Sequence, residues 1–180
     1  KYLSKYQLPY ELKYLPIVES ALNPKAKSRA GAMGLWQFMP MTAKMMGLRI
    51  NSFIDERCDP FLSTEAACKY LSHLFSIYKN WNLALAAYNA GPGNVNKAIR
   101  RAGGKTSYWE IMPFLPKETQ KYIPTFIAVT YIMSYANEHN IQSTRPEFKS
   151  FDVDTIHVCN RIEFDILEEW LSYDKEYLLL

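Results

Sequence analysis

The sequence predicts a mainly α protein: a helical domain over residues 1–142, then a small strand-then-helix extension over 143–180. Three observations carry this. Apolar residues of the first 140 positions recur at three- and four-residue spacing, between short loops punctuated by Pro, Gly and Asn. Beyond Thr144-Arg145-Pro146 the period changes to an alternation of apolar and polar side chains. The chain has 180 residues, 48% hydrophobic and 22% charged, which suits one well-buried core plus an appendage.

Each element has its own signal. Pro9 suits a first helical turn, and the segment it opens runs to Glu19, with Leu12, Leu15, Ile17 and Val18 apolar and Pro16 expected to kink or split it. Asn23-Pro24 marks an exit turn, and Lys25 to Gly34 is small and polar, a loop. Leu35 to Met46 is expected to be helical in part. Asp59-Pro60 breaks the chain, with Ser63 expected as the N-cap of the next helix. Ala67, Tyr70, Leu71, Leu74 and Tyr78 form its apolar face. Trp81 to Tyr88 is a second short apolar helix, stopped by Asn89-Ala90-Gly91-Pro92-Gly93. Val95, Ala98 and Ile99 restart a helix that Gly103-Gly104 ends. After the proline-rich stretch around Tyr108, Trp109 and Phe114, a long helix is expected from about Glu118 towards His139, with Pro124 near its start. Phe151 to Val158 reads as a strand, and Ile162 to Leu171 returns to helical spacing.

Composition narrows the function classes. No run of about 20 apolar residues is present, so no membrane-spanning helix is expected, and Lys1 to Leu8 shows no export-signal pattern. Both ends are expected to be cut from a longer precursor. Residues 1–146 hold 18 Lys/Arg against 9 Asp/Glu, and residues 147–180 hold 3 against 9. A basic body suits an anionic polymer or a solvated mixed surface. Nucleic acid is disfavoured, because no nucleic-acid motif accompanies the charge. The three cysteines are too few for a disulfide scaffold. Cys58 and Cys68 are either a pair in an oxidising compartment or two separate thiols, and Cys159 lacks a partner that would make it a nucleophile. The three histidines are dispersed, so neither a metal nor a cofactor is expected.

Glu19 is the chemically informative residue. A carboxyl group at the end of an apolar run is costly to ionise, so its pKa should rise, as a general acid near neutral pH requires. Alone, Glu19-Ser20 at a helix end equally describes a solvated cap. The Met-rich run (Met33, Met39, Met41, Met45, Met46) alone reads as core filler. In order along the chain, however, stand Glu19-Ser20, Asn23-Pro24, Ser28, Gly31-Ala32-Met33-Gly34-Leu35-Trp36-Gln37-Phe38-Met39-Pro40, Asp59-Pro60, Ala86-Ala87-Tyr88-Asn89-Ala90-Gly91 and Glu118-Thr119-Gln120-Lys121-Tyr122.

Over residues 5–142 this constellation closely resembles the catalytic domain of the family 1 lytic transglycosylases, the SLT domain, with its goose-type-lysozyme-like helical fold. The resemblance implies cleavage of the β-1,4 bond between N-acetylmuramic acid and N-acetylglucosamine in peptidoglycan. The muramyl 6-hydroxyl would attack its own anomeric carbon to leave a 1,6-anhydro sugar. By the same resemblance Glu19 is the acid and then the base. Ser20 follows it, and Ser28 holds the sugar near the scissile bond. Gln37 and Met39 line the cleft. Tyr88 contacts the glutamate, with Asn89 beside it. Glu118 is a second acid, and Tyr122 follows in its motif. Residues 143–180 resemble half of a LysM glycan-binding module, such as follows the domain in D-type members, or form a packing tail. The implied partners are peptidoglycan glycan strands, met by a monomer. The implied location is the bacterial cell envelope, in the periplasm, with any outer-membrane anchor on a segment outside this chain.

Alternatives stay open for several residues. Gln37 could pack against backbone, Tyr88 could be core with its hydroxyl on a carbonyl, and Glu118 could simply begin a helix. A lysozyme-type hydrolase would need a second carboxylate, for which Glu118 leads Asp55 and Asp59. A non-catalytic glycan-binding protein would be favoured by loss of the glutamate, which is present.

Overall fold

A computed structural model describes residues 1–142 and 158–171. The chain divides into two compact units, Lys1–Ile141 and Gln142–Leu180. In the first, α1 (Tyr2–Lys5) leads to a 3-10 turn (Tyr10–Tyr14) and α2 (Leu15–Ser20). After a long loop come α3 (Pro40–Met45), a 3-10 turn (Glu56–Cys58), α4 (Pro60–Tyr78), α5 (Trp81–Ala90) and α6 (Pro92–Arg101). Then follow α7 (Tyr108–Ile111), a 3-10 turn (Met112–Phe114) and α8 (Lys117–Ser134). In the second unit α9 spans Phe164–Leu171. The strand expected over 151–158 lies, apart from Val158, outside the described residues. Among those residues no strand occurs, only isolated antiparallel bridges such as Lys27 with Met33 and Met33 with Phe38.

The core is organised around α5. Leu83, Ala84, Leu85, Ala86 and Ala87 are all buried, so this helix is covered on every side. It packs against α4, α6 and α8, and its alanines let those neighbours approach closely. The α4–α5 junction is tight: Lys79 takes a left-handed conformation, the Asn80 side chain caps α5 by accepting from the Leu83 amide, and the Phe75 and Trp81 rings stack at 4.3 Å. Gly91, at φ +83°, passes the chain directly from α5 into α6.

Several expected element ends move. The α4 N-cap is Asp59, whose carboxylate accepts from the Phe61 and Leu62 amides. Ser63 lies one turn inside, its hydroxyl donating to the Asp59 carbonyl. The carboxylate wins because it reaches two free amides at the helix start. Pro16 splits its segment as expected, standing in the first turn of α2 after the 3-10 turn. The last helix ends at Ser134 rather than running towards His139; beyond it the chain forms turns. Pro124 is carried inside α8, where it cannot donate to the Gln120 carbonyl. The buried Tyr108 hydroxyl supplies that bond, donating to Gln120 O at 2.9 Å and Thr119 O at 3.0 Å. Cys58, Cys68 and Cys159 are free thiols, and burial pushes Cys68 up to about 11.

Candidate functional site

Helix α2 ends abruptly just past Glu19. Ala21 and Leu22 both take positive φ, and their amides return to the carbonyls of Ile17 and Pro16. This turn fixes Glu19 at the floor of a cleft of ≈ 680 Å³, with the Ser28–Met39 loop on one wall and α8 on another. The cleft receives Ser28, Gln37, Met39, Tyr88, Asn89, Glu118 and Tyr122 of the residues expected there.

Glu19 is half-buried, open to the cleft on one side and packed by protein on the others. Burial is the main cause that raises its pKa from 4.5 to about 7. The Tyr122 hydroxyl donates to Glu19 Oε1 and opposes that rise, because it stabilises the carboxylate; the negative charge of Glu118 adds to it. Burial together with the Glu19 charge pushes the Tyr122 hydroxyl well above its ordinary value, so it remains a proton donor. The hydrogen bond to Glu19 is thus made by Tyr122, while the Glu19 charge also reaches the buried Tyr88 hydroxyl and, after burial, helps to raise its pKa. Tyr88 donates to the Trp36 carbonyl at 2.8 Å instead. Helix packing decides this: α2 meets α8, and Tyr122 lies on the buried side of α8.

The other expected residues divide by what occupies their polar atoms. Ser20 does not line the cleft; its hydroxyl donates to the carbonyls of Leu35, at 2.9 Å, and Pro16. It ties the helix that carries Glu19 to the opposite loop. Ser28 accepts from the Ala32 amide at 2.9 Å, and a serine hydroxyl so engaged can still donate its proton. The Gln37 side-chain amide donates to Ala26 O and Gly34 O, at positive φ, so its nitrogen serves the loop. Asn89 Oδ1 accepts from the buried Thr119 hydroxyl at 2.8 Å, which joins α5 to α8. Glu118 is exposed in the first turn of α8 and faces the same cleft.

Of the alternative second carboxylates, neither Asp55 nor Asp59 lines the cleft. Asp59 caps α4. Asp55 accepts from Arg57 Nε and Nη2, and those bonds hold its carboxyl below the ordinary range. This pair is a support that the sequence did not reveal. The buried Arg57 also donates to Gly31 O at 2.9 Å and Phe38 O at 3.0 Å, fastening both ends of the cleft loop. Gly34 is pressed onto the same backbone: a Cβ there would lie 1.9 Å from Arg57 O. Trp36 adds a further tie, its indole N–H donating to Thr64 Oγ1 at 2.8 Å. An Asp and an Arg two apart in a loop give no local signal, because their partners stand some twenty positions away.

Among the described residues, no group of three His, Cys, Asp or Glu is placed to hold a metal ion. None of their helices is long and apolar enough to cross a membrane. The arrangement is thus a protonatable carboxyl group on the floor of an open groove, braced by a tyrosine and faced by polar side chains.

Comparison with known proteins gives consistent results. Residues 1–111 match the family model described as the transglycosylase SLT domain. The chain is 36% identical over 165 residues to membrane-bound lytic murein transglycosylase D of Escherichia coli, covering 89% of this chain and 36% of that one. It is 36% identical over 118 residues to the soluble lytic murein transglycosylase of Escherichia coli, covering 61% of this chain and 18% of that one. A solved complex of the 70-kDa soluble lytic transglycosylase with bulgecin A superimposes with a TM-score of 0.63 at 29% identity, over 76% of this chain and 23% of that one. The chain therefore spans about a third or less of the length of these relatives. The fold they share with it is the lysozyme-like helical fold.

Proposed function

The chain belongs to the transglycosylase SLT family, and on that premise we propose that its cleft cleaves the β-1,4 bond between N-acetylmuramic acid and N-acetylglucosamine in peptidoglycan without adding water. The observation that carries this is the state of Glu19, a carboxyl group with a pKa of about 7 on the cleft floor. Near neutral pH it is divided between acid and carboxylate, so one group can serve both halves of the reaction.

In the first half, Glu19 gives its proton to the glycosidic oxygen as the bond from the muramyl C1 breaks. The N-acetyl oxygen of the same sugar attacks C1 and shares the developing positive charge. In the second half, the Glu19 carboxylate takes the proton of the muramyl 6-hydroxyl while O6 attacks C1 and the acetamido oxygen departs. A 1,6-anhydro ring closes, the enzyme regains its proton, and no water is consumed. The attack is intramolecular, which gives it a large effective concentration over water. Tyr122 holds Glu19 and stabilises its charge between the two transfers. Ser28 donates to the sugar beside the scissile bond. Gln37, Met39, Tyr88 and Asn89 shape the groove, and Ser20 holds the loop against α2. Glu118 binds at the groove edge. The protein acts as a monomer on glycan strands of the bacterial envelope, in the periplasm, with any outer-membrane anchor supplied by sequence outside this chain.

One observation favours a second reading. Glu118 lines the same cleft and its charge reaches Glu19, so it is available to activate water as in a lysozyme-type hydrolase. Digestion of purified peptidoglycan, followed by mass spectrometry of the released muropeptides, separates the two. Products lighter by one water, with 1,6-anhydro ends, are expected; reducing ends would transfer the assignment to hydrolysis. Under either reading Glu19→Gln brings activity to background with the fold retained, and unchanged turnover in that variant would refute both.

A further inference from the structure

The cleft walls carry two cations that the reaction above does not use. Arg29 follows Ser28 on the loop wall, and Lys121 precedes Tyr122 on α8. Both are exposed at the groove, and among the described residues neither forms an ion pair with a carboxylate. The carboxylates in the groove are Glu19 and Glu118. When Glu19 carries the proton it needs as an acid, the two cations face one fixed negative charge, and the groove favours an anion.

The sugar backbone of peptidoglycan supplies no such anion. N-acetylglucosamine is neutral, and the lactyl carboxyl of N-acetylmuramic acid is consumed in an amide bond to the peptide stem. The free carboxylates belong to that stem, which hangs from the same sugar whose C1 reacts. Ser28 and Tyr122 are assigned to that sugar and its acid, and their immediate neighbours are Arg29 and Lys121. We propose that Arg29 and Lys121 form a stem-peptide subsite, pairing with free carboxylates of the peptide on the muramyl residue being cleaved, so that the protein prefers peptide-bearing glycan to bare glycan. This rests on the function proposed above and names the part of the substrate that the groove reads beyond the sugars.

The test compares kcat/KM on three forms of one glycan strand: peptide-bearing; stripped by an amidase that cuts the lactyl–peptide bond, with the lactyl carboxyl so freed then converted to an amide; and peptide-bearing with the stem carboxylates converted to amides. Two solvent-exposed pairs give the wild type a preference of about fivefold for the first form, equivalent to roughly 1 kcal/mol. The amidated strand should behave like the stripped one, and added salt should compress the ratio. In the Arg29→Gln/Lys121→Gln double variant the ratio falls to about one. The inference is overturned by a wild type without preference, by a preference that survives amidation, or by a ratio unchanged in the double variant. Binding of the same strands in a Glu19→Gln background, read as a ratio of Kd values with the same fivefold expectation, decides the subsite by itself. Failure to cleave any strand would thus count against the proposed reaction, and failure of the binding ratio against the subsite.

Discussion

Glu19→Gln should make the protein more stable at pH 8 while it removes the acid. The carboxyl group has a folded-state pKa of about 7 against an ordinary 4.5, chiefly because burial penalises its charge. Below about pH 4.5 it is protonated in both folded and unfolded chains, and its stabilising protonation is fully present. Between 4.5 and 7 the unfolded chain releases the proton that the folded chain still holds, so stability falls as pH rises. Above pH 7 the loss is complete. At 1.36 kcal/mol per unit the displacement from 4.5 to about 7 corresponds to roughly 3 kcal/mol. Glutamine is neutral throughout, still accepts from Tyr122, and can turn its amide N–H groups to the open side of the cleft. For a chain of this size that difference corresponds to roughly 6–12 °C in Tm. The assay is thermal unfolding of both proteins, followed by circular dichroism at pH 4 and pH 8. The curves should nearly coincide at pH 4 and separate at pH 8 in favour of the variant. Equal separation at both values, or none at pH 8, would refute the claim that burial of this carboxyl sets its pKa.

Two further substitutions probe the supports of the site, and a third serves as a control. Tyr122→Phe removes the donor that stabilises the Glu19 carboxylate; a hydrogen bond to a charged group contributes ~1.5–3 kcal/mol, so the Glu19 pKa should rise by about one to two units. The high-pH limb of the kcat/KM profile, where protonated Glu19 is lost, should move up accordingly, and a limb that stays or moves down would contradict the assignment. Gly34→Ala places a Cβ 1.9 Å from Arg57 O at φ +85° and should cost roughly 3 kcal/mol in chemical denaturation, together with cleavage activity. Gly47→Ala, at φ +92° with open space around it, should cost only about 1 kcal/mol. Equal losses at the two glycines would show that conformation, not the press against Arg57, is what Gly34 supplies.

Some of this protein could be read from residue order alone. Helices α4, α5 and α6 follow from apolar spacing and from Pro, Gly and Asn punctuation, because those signals act within a few positions along the chain. The apolar run before Glu19 likewise announced a carboxyl group that resists ionisation. Where neighbours competed for one role, the sequence was a poorer guide. Asp59 and Ser63 are both good caps, and the carboxylate that reaches two amides prevailed. Which tyrosine meets Glu19 could not be read, since Tyr88 and Tyr122 stand on different helices and only the packing of α2 on α8 selects Tyr122. The Asp55–Arg57 brace was equally silent, because its meaning lies in carbonyls at Gly31 and Phe38 that folding brings to it. Sequence by itself thus determined most of the helices, the order of the motifs and the carboxyl group that resists ionisation. Tertiary structure decided which side chains touch that carboxyl and which merely hold its walls, because hydrogen bonds and desolvation act over a few ångströms and the distances are set only when the helices pack.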